Sequence, residues 1–405
     1  MISFNKALEI IKNFININKK TEYLSIENAF SRIIARDYKA KFNSPRTDKS
    51  AMDGIVILEK DFKKKKKFKI IGESKAGQNK SGEIKSGETK LIYTGAPVPG
   101  KNKKIIIIKE KCKFLNNTLV QISEKIEKQN FIRKKGFNFK RNDLCLKKNS
   151  CLNIRNISLA SSLNLKKIKV FTKPRFAIFI TGDEIKNIQN PKGTIYSSNS
   201  QILKNFINIF GGLVTEIKYA KDNEIDILKK YDALKDFDCL VSSGGISVGK
   251  YDLIKMALKK RNLKIKINTI AMKPGKPTTF GIFKKNKYFL GLPGNPVSCY
   301  VGSFFFIRML ISKFNDKNYN YIKFEDSINK EEIPENNHLT SIMRINIFEK
   351  NKQSYFTIYK NQDSSLETTL AKSNGLIIRE PFSPKVSIGK KNQIIKFNDF
   401  QSNYF

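Results

Sequence analysis

From about residue 171, short apolar runs alternate with helical patterns, and this alternation constrains the fold more than any other feature of the chain. The runs that predict strands are Phe176–Ile180, Val214–Tyr219, Asp238–Val241, Ile265–Ala271 and Tyr288–Leu292. Helices are predicted near residues 199–210, 223–234, 251–259 and 297–314. Buried-looking strands that alternate with helices are typical of a parallel α/β sheet. We therefore predict an α/β domain over residues 171–318.

Two N-terminal helices are predicted from the spacing of apolar residues. The first covers residues 4–16, and one of its faces carries Phe4, Ala7, Leu8, Ile11 and Ile15. The second follows Ser25, a suitable N-cap, and its apolar residues are Ile26, Ala29, Phe30, Ile33 and Ile34. With the mixed pattern of residues 141–170, these helices predict a split N-terminal domain over residues 1–38 and 141–170.

The rest of the chain has a β-rich pattern. In residues 39–140, Gly, Pro and Lys turns interrupt short apolar runs such as Phe68–Ile71, Leu91–Tyr93 and Ile105–Ile108. Short alternating strands return after residue 320, which predicts a small C-terminal β domain over residues 319–405. The predicted fold class is thus multidomain α/β, with a central parallel sheet, a split N-terminal domain, a β-rich insertion and a C-terminal β domain.

Composition limits the possible function classes. Hydrophobic residues make up 40% of the 405 residues, so buried cores are expected rather than disorder. No uninterrupted apolar run reaches the roughly 18 residues of a membrane span. The first residues lack the layout of a signal peptide. We therefore expect a soluble, cytoplasmic protein without a membrane partner.

Histidine and cysteine usage argues against two kinds of site. The single histidine, His338, does not support a Ser-His-Asp triad or a multi-histidine metal site. No two of the five cysteines have C-x-x-C spacing, and we interpret them as single thiols. Any metal in this protein is therefore expected to be a hard cation bound by oxygen.

The formal net charge of +41 raises the hypothesis of nucleic-acid binding. The excess consists mostly of lysine and is spread along the whole chain, which does not favour that hypothesis. The run Lys63–Lys67 is a local basic patch, interpreted as a solvated loop, with nucleic acid or an acidic partner as alternatives. The charge would still attract anionic ligands.

Three polar loops follow predicted strands of the α/β domain. They are Thr181–Glu184, Ser242–Gly249 and Pro293–Pro296. In a parallel sheet all three would lie at the edge formed by the carboxyl ends of the strands, where ligands bind. The glycines after Ser243 would let backbone N–H groups approach a phosphate, although a tight structural turn would have the same pattern.

Acidic residues also cluster near these strand ends. Asp183, Glu184, Asp222 and Asp252 each follow a predicted strand or its loop. Carboxylates beside a phosphate-binding loop are suitable ligands for Mg²⁺, although each acid alone is more often a cap or a surface charge. The sequence therefore predicts a magnesium site at this edge of the sheet.

The segment Lys273–Pro277 reads Lys-Pro-Gly-Lys-Pro and lies between two predicted strands. Two prolines and a glycine would hold its two ammonium groups in place, which suits an oxyanion or a pyrophosphate. A basic turn in a basic protein is the alternative. The segments Ser50–Gly54 and Tyr93–Pro99 do not look like ordinary hairpin turns, and by themselves indicate no role.

Taken together, these segments resemble one family. The strings SAMDG (50–54), GESKAGQ (72–78), YTGAPVP (93–99), TGDE (181–184), SSGGISVG-x-YD (242–252), KPGKP (273–277) and GLPGNPVS (291–298) occur in the order seen in MoeA-type molybdopterin molybdenumtransferases. That family includes the E domain of gephyrin-like proteins. The weaker string Ser373–Leu376 also fits, and the resemblance extends from near residue 4 to near residue 390.

The resemblance implies a reaction and an assembly. Adenylylated molybdopterin and molybdate would be the substrates, with Mg²⁺ required, AMP released and molybdenum left on the dithiolene sulfurs. The protein would be an elongated homodimer, with each active site between the α/β domain of one chain and the β-rich insertion of the other. A molybdopterin adenylyltransferase and the molybdoenzymes that accept the product would be candidate partners.

The resemblance also assigns roles to individual residues. Catalysis would involve Asp53, Thr94, Glu184, Asp222, Asp252, Lys273 and Lys276. Molybdopterin would be bound by Thr181, Gly182, Asp183, Ser242, Ser243, Gly244, Gly245, Ser247, Gly249, Pro293, Gly294, Asn295 and Arg133. Molybdate would be held by Lys273, Lys276, Pro277, Ser298, Arg344 and Ser364. The metal ligands would be Glu184, Asp222 and Asp252, and the partner chain would supply Asp53, Thr94 and Arg133.

This chain departs from the family pattern at several positions. Phe137 and Asn138 replace an acidic pair, and the family's Tyr-Asp-x-Asn is Tyr-Ser-Ser-Asn over residues 196–199. Asn142 and Asn164 stand where glycines are expected. Because asparagine tolerates left-handed backbone, we expect the turns at these two positions to be preserved.

Two other functions related to molybdopterin remain open. A molybdopterin adenylyltransferase shares the α/β domain, but is commonly that single domain. A non-catalytic scaffold would bind adenylylated molybdopterin without releasing AMP, and the loss of the acidic pair at Phe137 and Asn138 is compatible with it. Nucleic-acid binding from charge alone is a third alternative, and it would weaken steeply with salt.

Overall fold

The computed structural model describes residues 1–16, 20–78, 81–123, 131–182, 197–245, 253–315 and 322–397. It contains two compact units. The first comprises Met1–Ala35, Asn149–Ser158 and Lys166–Phe405, and the second comprises Arg36–Lys148 and Leu159–Leu165. The fold class is mixed α/β with β-rich parts, as expected, while the four domain boundaries given above remain predictions.

The strands of the described residues, in chain order, are β1 (Ile2–Ser3), β2 (Thr21–Ser25), β3 (Tyr38–Lys39), β4 (Lys49–Ser50), β5 (Gly54–Leu58), β6 (Lys67–Ser74), β7 (Glu88–Ile92), β8 (Lys104–Ile108), β9 (Cys112–Asn116), β10 (Leu119–Ile122), β11 (Ile132–Arg133), β12 (Leu144–Leu146), β13 (Lys167–Phe171), β14 (Arg175–Thr181), β15 (Leu213–Ala220), β16 (Cys239–Ser243), β17 (Lys264–Ile267), β18 (Ile270–Lys273), β19 (Thr279–Ile282), β20 (Tyr288–Leu292), β21 (Glu325–Asn329), β22 (Thr340–Lys350), β23 (Gln353–Ile358), β24 (Gly375–Arg379) and β25 (Lys391–Lys396).

The helices are α1 (Phe4–Phe14), α2 (Ile154–Ser162), α3 (Ser198–Ile209), α4 (Glu224–Asp232), α5 (Leu253–Lys259), α6 (Pro296–Gly302), α7 (Arg308–Phe314) and α8 (Glu367–Lys372). A π-helical stretch, Ser303–Ile307, joins α6 to α7. Single 3₁₀ turns occupy Ile26–Asn28, Glu59–Asp61, Lys109–Lys111 and Lys284–Asn286.

The α/β sheet has the strand order β15-β14-β16-β20-β19-β17. Strands β15, β14, β16 and β20 are parallel, which confirms the prediction for this part of the chain. Side chains alternate along β14, so that Phe176 and Ile178 lie in one apolar core and Ala177 and Phe179 lie in the other. The sheet is mixed rather than wholly parallel, because β19 and β17 run antiparallel at one side.

The single strand predicted over Ile265–Ala271 is wrong. This segment forms two strands in different sheets: β17 pairs with β19, whereas β18 pairs with β1 and β22. Between the two strands, the carbonyl of Asn268 accepts a hydrogen bond from the Thr279 hydroxyl at 3.1 Å. The chain therefore leaves the α/β sheet at this point, and Lys273 at the end of β18 lies beside the C-terminal strands.

The C-terminal strands form a closed ring of pairings. Strands β22, β23, β21, β25 and β24 follow one another, and β24 also pairs with β22. The ring encloses a small core of Ile333, Ile345, Phe356, Ile377 and Ile394. The β-rich pattern predicted after residue 320 is confirmed.

One N-terminal helix agrees with the prediction and the other does not. Helix α1 buries Phe4, Ala7 and Ile11, as its apolar spacing predicts. The second predicted helix is a single 3₁₀ turn, after which Ser31 has a φ of 61° that a helix cannot continue through. Ile33 and Ile34 instead form β-bridges, with Cys151 and Val170 respectively.

The second unit contains a six-stranded sheet in the order β8-β5-β7-β6-β10-β9, so the β-rich prediction for this region is confirmed. Two turns of the second unit, outside this sheet, carry asparagine where the resemblance leads us to expect glycine. Asn142 and Asn164 have φ values of 75° and 57°, both in the left-handed region. The expectation that asparagine preserves these turns is therefore confirmed.

The long apolar helix predicted at 297–314 runs continuously from Pro296 to Phe314. With 19 residues and a mean hydropathy of 1.4, this helix is long and apolar enough to cross a membrane, although polar residues interrupt its sequence. In this fold, 78% of that segment is buried inside the protein. We therefore interpret it as a core helix of the first unit.

Candidate active site

The carboxyl ends of three parallel strands meet at one edge of the α/β sheet. Ile180 of β14 pairs with Ser243 of β16, which in turn pairs with Leu292 of β20. The polar loops predicted from the sequence therefore begin side by side. On the other side of β14, Thr181 pairs with Ala220, so Asp222 follows the neighbouring strand by two residues.

Glycines let these loops touch one another. Gly244 has a φ of +88°, and a Cβ added to it would lie 2.2 Å from the carbonyl oxygen of Thr181. A Cβ on Gly294 would lie 3.5 Å from the Cα of Gly244. Thr181, Gly244 and Gly294 are thus in close contact, and only a residue without a side chain fits at position 244.

Asn199, at the start of α3, connects two of these loops. Its side-chain amide donates to the hydroxyl of Ser243 at 2.9 Å and to the carbonyl of Gly294 at 2.6 Å. The Ser243 hydroxyl donates in turn to the carbonyl of Pro293 at 3.1 Å. Asn199 was not among the predicted site residues. It is, however, the final asparagine of the family string Tyr-Asp-x-Asn, to which residues 196–199 correspond.

Several buried oxygen atoms at this edge lack a hydrogen-bond partner in the described structure. They are Oγ1 of Thr181, Oγ of Ser242 and Oδ1 of Asn199, and all three residues are buried. A buried polar group without a partner costs roughly 1–3 kcal/mol. Because these three atoms lie together at the carboxyl ends of parallel strands, they are available to a bound ligand.

A loop of the C-terminal part joins this edge. The Asn295 side chain donates to the Ser364 hydroxyl at 2.8 Å, and the Val297 N–H donates to the Ser364 carbonyl at 3.1 Å. Ser298 lies buried in the first turn of α6, next to Val297. Two of the residues predicted to hold molybdate, Ser298 and Ser364, therefore lie on adjoining segments of backbone.

Arg344 supports this loop from inside. Its guanidinium donates to the carbonyls of Asp363 at 3.0 Å and Leu366 at 3.1 Å, and to Oε1 of Gln362 at 3.2 Å. Only 1% of the residue is exposed, and burial lowers the pKa of its guanidinium. In this structure Arg344 fixes the backbone on either side of Ser364, and a direct contact with molybdate remains a prediction.

Lys273 lies near the same loop, at the end of β18. Hydrogen bonds from Ser365 hold the pKa of Asp363 below its usual value, and the charges of Arg344 and Lys273 lower that pKa further. The following turn is closed by the Thr278 hydroxyl, which donates to the Gly275 carbonyl at 2.7 Å. Both Lys273 and Lys276 are exposed, and Pro277 follows them in this turn.

Several predicted site residues lie outside the described part of the chain, namely Asp183, Glu184, Ser247, Gly249 and Asp252. Of the three predicted metal ligands, only Asp222 is described, and it is partly buried. Among the described residues, no group of three Asp, Glu, His or Cys side chains is placed to hold a metal ion. The magnesium site therefore remains a prediction. Gly182 and Gly245, by contrast, are described, and both have positive φ values.

The second unit brings together two of the residues expected to act from a partner chain. The N–H and hydroxyl of Thr94 donate to Oδ1 of Asp53 at 2.6 Å and 2.9 Å. Arg133 lies on β11, opposite Lys49 of β4. Phe137, which replaces an acidic residue of the family pattern, is 72% exposed.

Comparison with known proteins gives matches along nearly the whole chain. Residues 2–164 match the family described as "MoeA N-terminal region (domain I and II)", and residues 177–313 match the family described as "Probable molybdopterin binding domain". The chain belongs to the MoeA family. The first match contains the Asp53–Thr94 pair, and the second contains the glycine loops described above.

Two relatives of this MoeA family member carry the same name. The molybdopterin molybdenumtransferase of Haemophilus influenzae is 28% identical over 407 residues, covering 98% of this chain and 99% of the relative. The enzyme of the same name from a Nostoc species is 29% identical over 326 residues, covering 77% and 74%.

Solved structures agree with this assignment of the fold. Two crystal structures of a molybdopterin biosynthesis MoeA protein from Pyrococcus horikoshii match 98% of this chain. Their TM-scores are 0.81 and 0.80, with sequence identities of 25% and 21%.

Proposed function

We propose that this chain is a molybdopterin molybdenumtransferase, an enzyme that inserts molybdenum into molybdopterin. The close contact of Thr181, Gly244 and Gly294 at one sheet edge carries this proposal, because it forms a polar surface without side-chain obstruction at position 244. Full-length similarity to relatives named for this activity supports it.

The substrate that we propose is adenylylated molybdopterin. Gly182, Gly244 and Gly245 have positive φ values, which allow backbone to turn sharply beneath a diphosphate. Phosphate oxygens could accept hydrogen bonds from backbone N–H groups at this edge, as in other parallel sheets that bind nucleotides. Cleavage of the pyrophosphate bond would release AMP and leave the dithiolene available for molybdenum.

Molybdate would be bound on the neighbouring surface, between the turn of Lys273 and Lys276 and the hydroxyls of Ser298 and Ser364. The two exposed ammonium groups favour a doubly charged oxyanion. Pro277 restricts the turn that carries them. Arg344 would act by holding the Ser364 backbone in position.

Mg²⁺ would be bound by Asp222 together with Glu184 and Asp252. A hard cation fits a donor set made of carboxylates, and it would neutralise negative charge on the diphosphate. A second chain would complete the site with Asp53, Thr94 and Arg133, so the active form would be a homodimer. We place the enzyme in the cytoplasm, where an adenylyltransferase would supply its substrate and molybdoenzymes would accept its product.

The decisive experiment measures AMP release from adenylylated molybdopterin with Mg²⁺, in the presence and absence of molybdate. Release that depends on molybdate, with molybdenum recovered on the pterin, would support the proposal. Binding without release would indicate a scaffold. Transfer of AMP from ATP to molybdopterin would indicate an adenylyltransferase.

A matched pair of variants tests the molybdate surface. Lys273→Met should raise the molybdate concentration needed for half-maximal release by about tenfold or more, because a charge-assisted contact is lost. Lys264→Met removes the same charge from an exposed position on β17 and should leave that concentration unchanged. Equal behaviour of the two variants would contradict the assignment of Lys273.

A further inference from the structure

A second cleft opens in the first unit, away from the glycine loops. Its volume is about 260 Å³, and it is lined by Lys20, Glu22, Thr172, Lys173, Pro174, Arg175, Leu213, Asp238 and Phe314. Neither the sequence motifs nor the proposed reaction uses these residues. The cleft therefore calls for a separate explanation.

The cleft lies at the opposite edge of the α/β sheet. Arg175 is the first residue of β14 and Leu213 is the first residue of β15, whereas Thr181 ends β14 at the candidate active site. A strand rises about 3.3 Å per residue, so the two edges are roughly 20 Å apart. A ligand bound in the cleft would not touch the catalytic loops.

Arginines already neutralise the carboxylates in and around the cleft. Arg175 donates to Asp236 at 2.6 Å and to Asp238 at 3.2 Å. Arg32 donates to Glu22 at 2.5 Å. Asp238 also accepts a hydrogen bond from the backbone N–H of Arg175 at 2.7 Å, which fixes the position of this carboxylate in the cleft.

Neither Lys20 nor Lys173 forms a salt bridge in the part of the chain that the structure describes. Lys173 is partly buried, and burial together with the nearby charge of Arg32 lowers the pKa of its ammonium group, while the charge of Glu22 acts in the opposite direction. A positive charge that is partly withdrawn from water and has no salt bridge among the described residues favours the binding of an anion.

One wall of the cleft is apolar. Pro174 and Phe314 are buried, and the Phe314 ring packs edge-on against Phe176 and Tyr288 at centroid distances of 6.3 Å and 5.6 Å. Leu213 is 46% exposed at the rim. This wall is held by the core of the sheet, so it is present before any ligand arrives.

We propose that this cleft binds a small organic anion, with its carboxylate or phosphate group against Lys173 and Lys20 and its apolar body against Leu213 and Phe314. The volume excludes a macromolecular ligand from the interior and suits a ligand with about one ring. The proposal is independent of the transferase reaction, because the residues involved lie at the other end of β14.

Titration calorimetry on the full-length protein tests the proposal with benzoate, phenyl phosphate and inorganic phosphate as probes. We expect saturable binding of benzoate or phenyl phosphate at one site per chain, and weaker binding of inorganic phosphate, which has no apolar body. The comparison of benzoate with phenyl phosphate identifies the preferred anionic group. Absence of saturable binding by both aromatic probes would overturn the proposal.

Variants assign any binding to the cleft. Lys173→Met should weaken the Kd by about tenfold or more, whereas Lys167→Met, an equal loss of charge at an exposed position of β13, should leave it unchanged. Equal weakening in both variants would show that only net charge matters and would refute the site. If Lys173→Met does not fold, Leu213→Ser provides the second test, and unchanged affinity for phenyl phosphate in that variant would refute the apolar contact.

Discussion

The carboxylate of Asp53 accepts two hydrogen bonds from Thr94, one from its N–H at 2.6 Å and one from its hydroxyl at 2.9 Å. The two residues are 41 positions apart in sequence, yet they form one exposed unit. Their geometry is already set within a single chain. In the homodimer that we propose, the orientation of this carboxylate would be set before it reached the active site of the partner chain.

Thr94→Val should raise the pKa of Asp53 toward its usual value. The N–H and the hydroxyl of Thr94 are the largest causes of the lowered pKa, and valine removes the hydroxyl while keeping the side-chain shape. A lowered carboxylate pKa contributes to stability above the usual pKa, and that contribution is lost as the pH falls through the folded-state value. Titration of the carboxyl group by NMR measures the shift.

Thr118→Val is the control for this titration. Its hydroxyl donates to Asn116 and has no contact with Asp53. It should leave the pKa of Asp53 unchanged. An unaltered Asp53 pKa in Thr94→Val would show that the hydroxyl bond has no influence in solution.

Gly244→Ala should abolish most of the activity. Its Cβ would overlap the Thr181 carbonyl, and the φ of +88° would add a strain of about 1–2 kcal/mol. Gly211→Ala offers a matched control, since Gly211 has a φ of +93° but no atom within 4 Å of an added Cβ. Comparable loss of AMP release in both alanine variants would mean that strain, rather than contact with Thr181, is responsible.

Asn199→Ala should increase KM for the pterin substrate and lower stability by roughly 1–3 kcal/mol. It would remove both hydrogen bonds that connect the loops at Ser243 and Gly294. Asn223→Ala removes only the N-cap of α4, which costs about 1 kcal/mol. Steady-state kinetics and thermal unfolding of the two variants separate a role in positioning the substrate from a role in stability. An unchanged KM in Asn199→Ala would argue against the positioning role.

Arg344→Met should destabilise the protein by roughly 3 kcal/mol, because several carbonyls of the 361–366 loop would lose a buried charged donor. Arg261→Met, which breaks an exposed pair with Asp232, should have an effect near zero. Denaturant unfolding followed by fluorescence compares them. If Arg344→Met were as stable as the parent chain, the support that we assign to this residue would be disproved.

The spacing of apolar residues along the chain was sufficient to predict much of the fold. Helix α1 and strand β14 follow from apolar spacing because their neighbours in sequence determine which face is buried. The second N-terminal helix was wrong because Ile33 and Ile34 have β-bridge partners far along the chain, which spacing alone cannot show. The break at Asn268 was missed for the same reason, since it depends on which sheet each strand joins.

Contacts at the candidate site could be predicted where the residues involved belong to short motifs of consecutive residues. Gly244 and Gly294 occur in short motifs that follow strands, and the structure brings them into contact. Asn199 acts through Ser243 and Gly294, which are distant in sequence, so its importance emerges only from the fold. Arg344 shows the limit of motif matching, because its position was identified while its supporting contacts were not.

The left-handed asparagines have a consequence for how such folds are found. Asn142, Asn149, Asn164, Asn262, Asn286 and Asn351 all occupy conformations that glycine usually adopts. The turns at these positions can therefore carry asparagine instead of glycine while the backbone keeps the same conformation. A search profile that rewards glycine alone at these corners would pass over chains of similar shape, and one that scores asparagine as an equivalent would recover them.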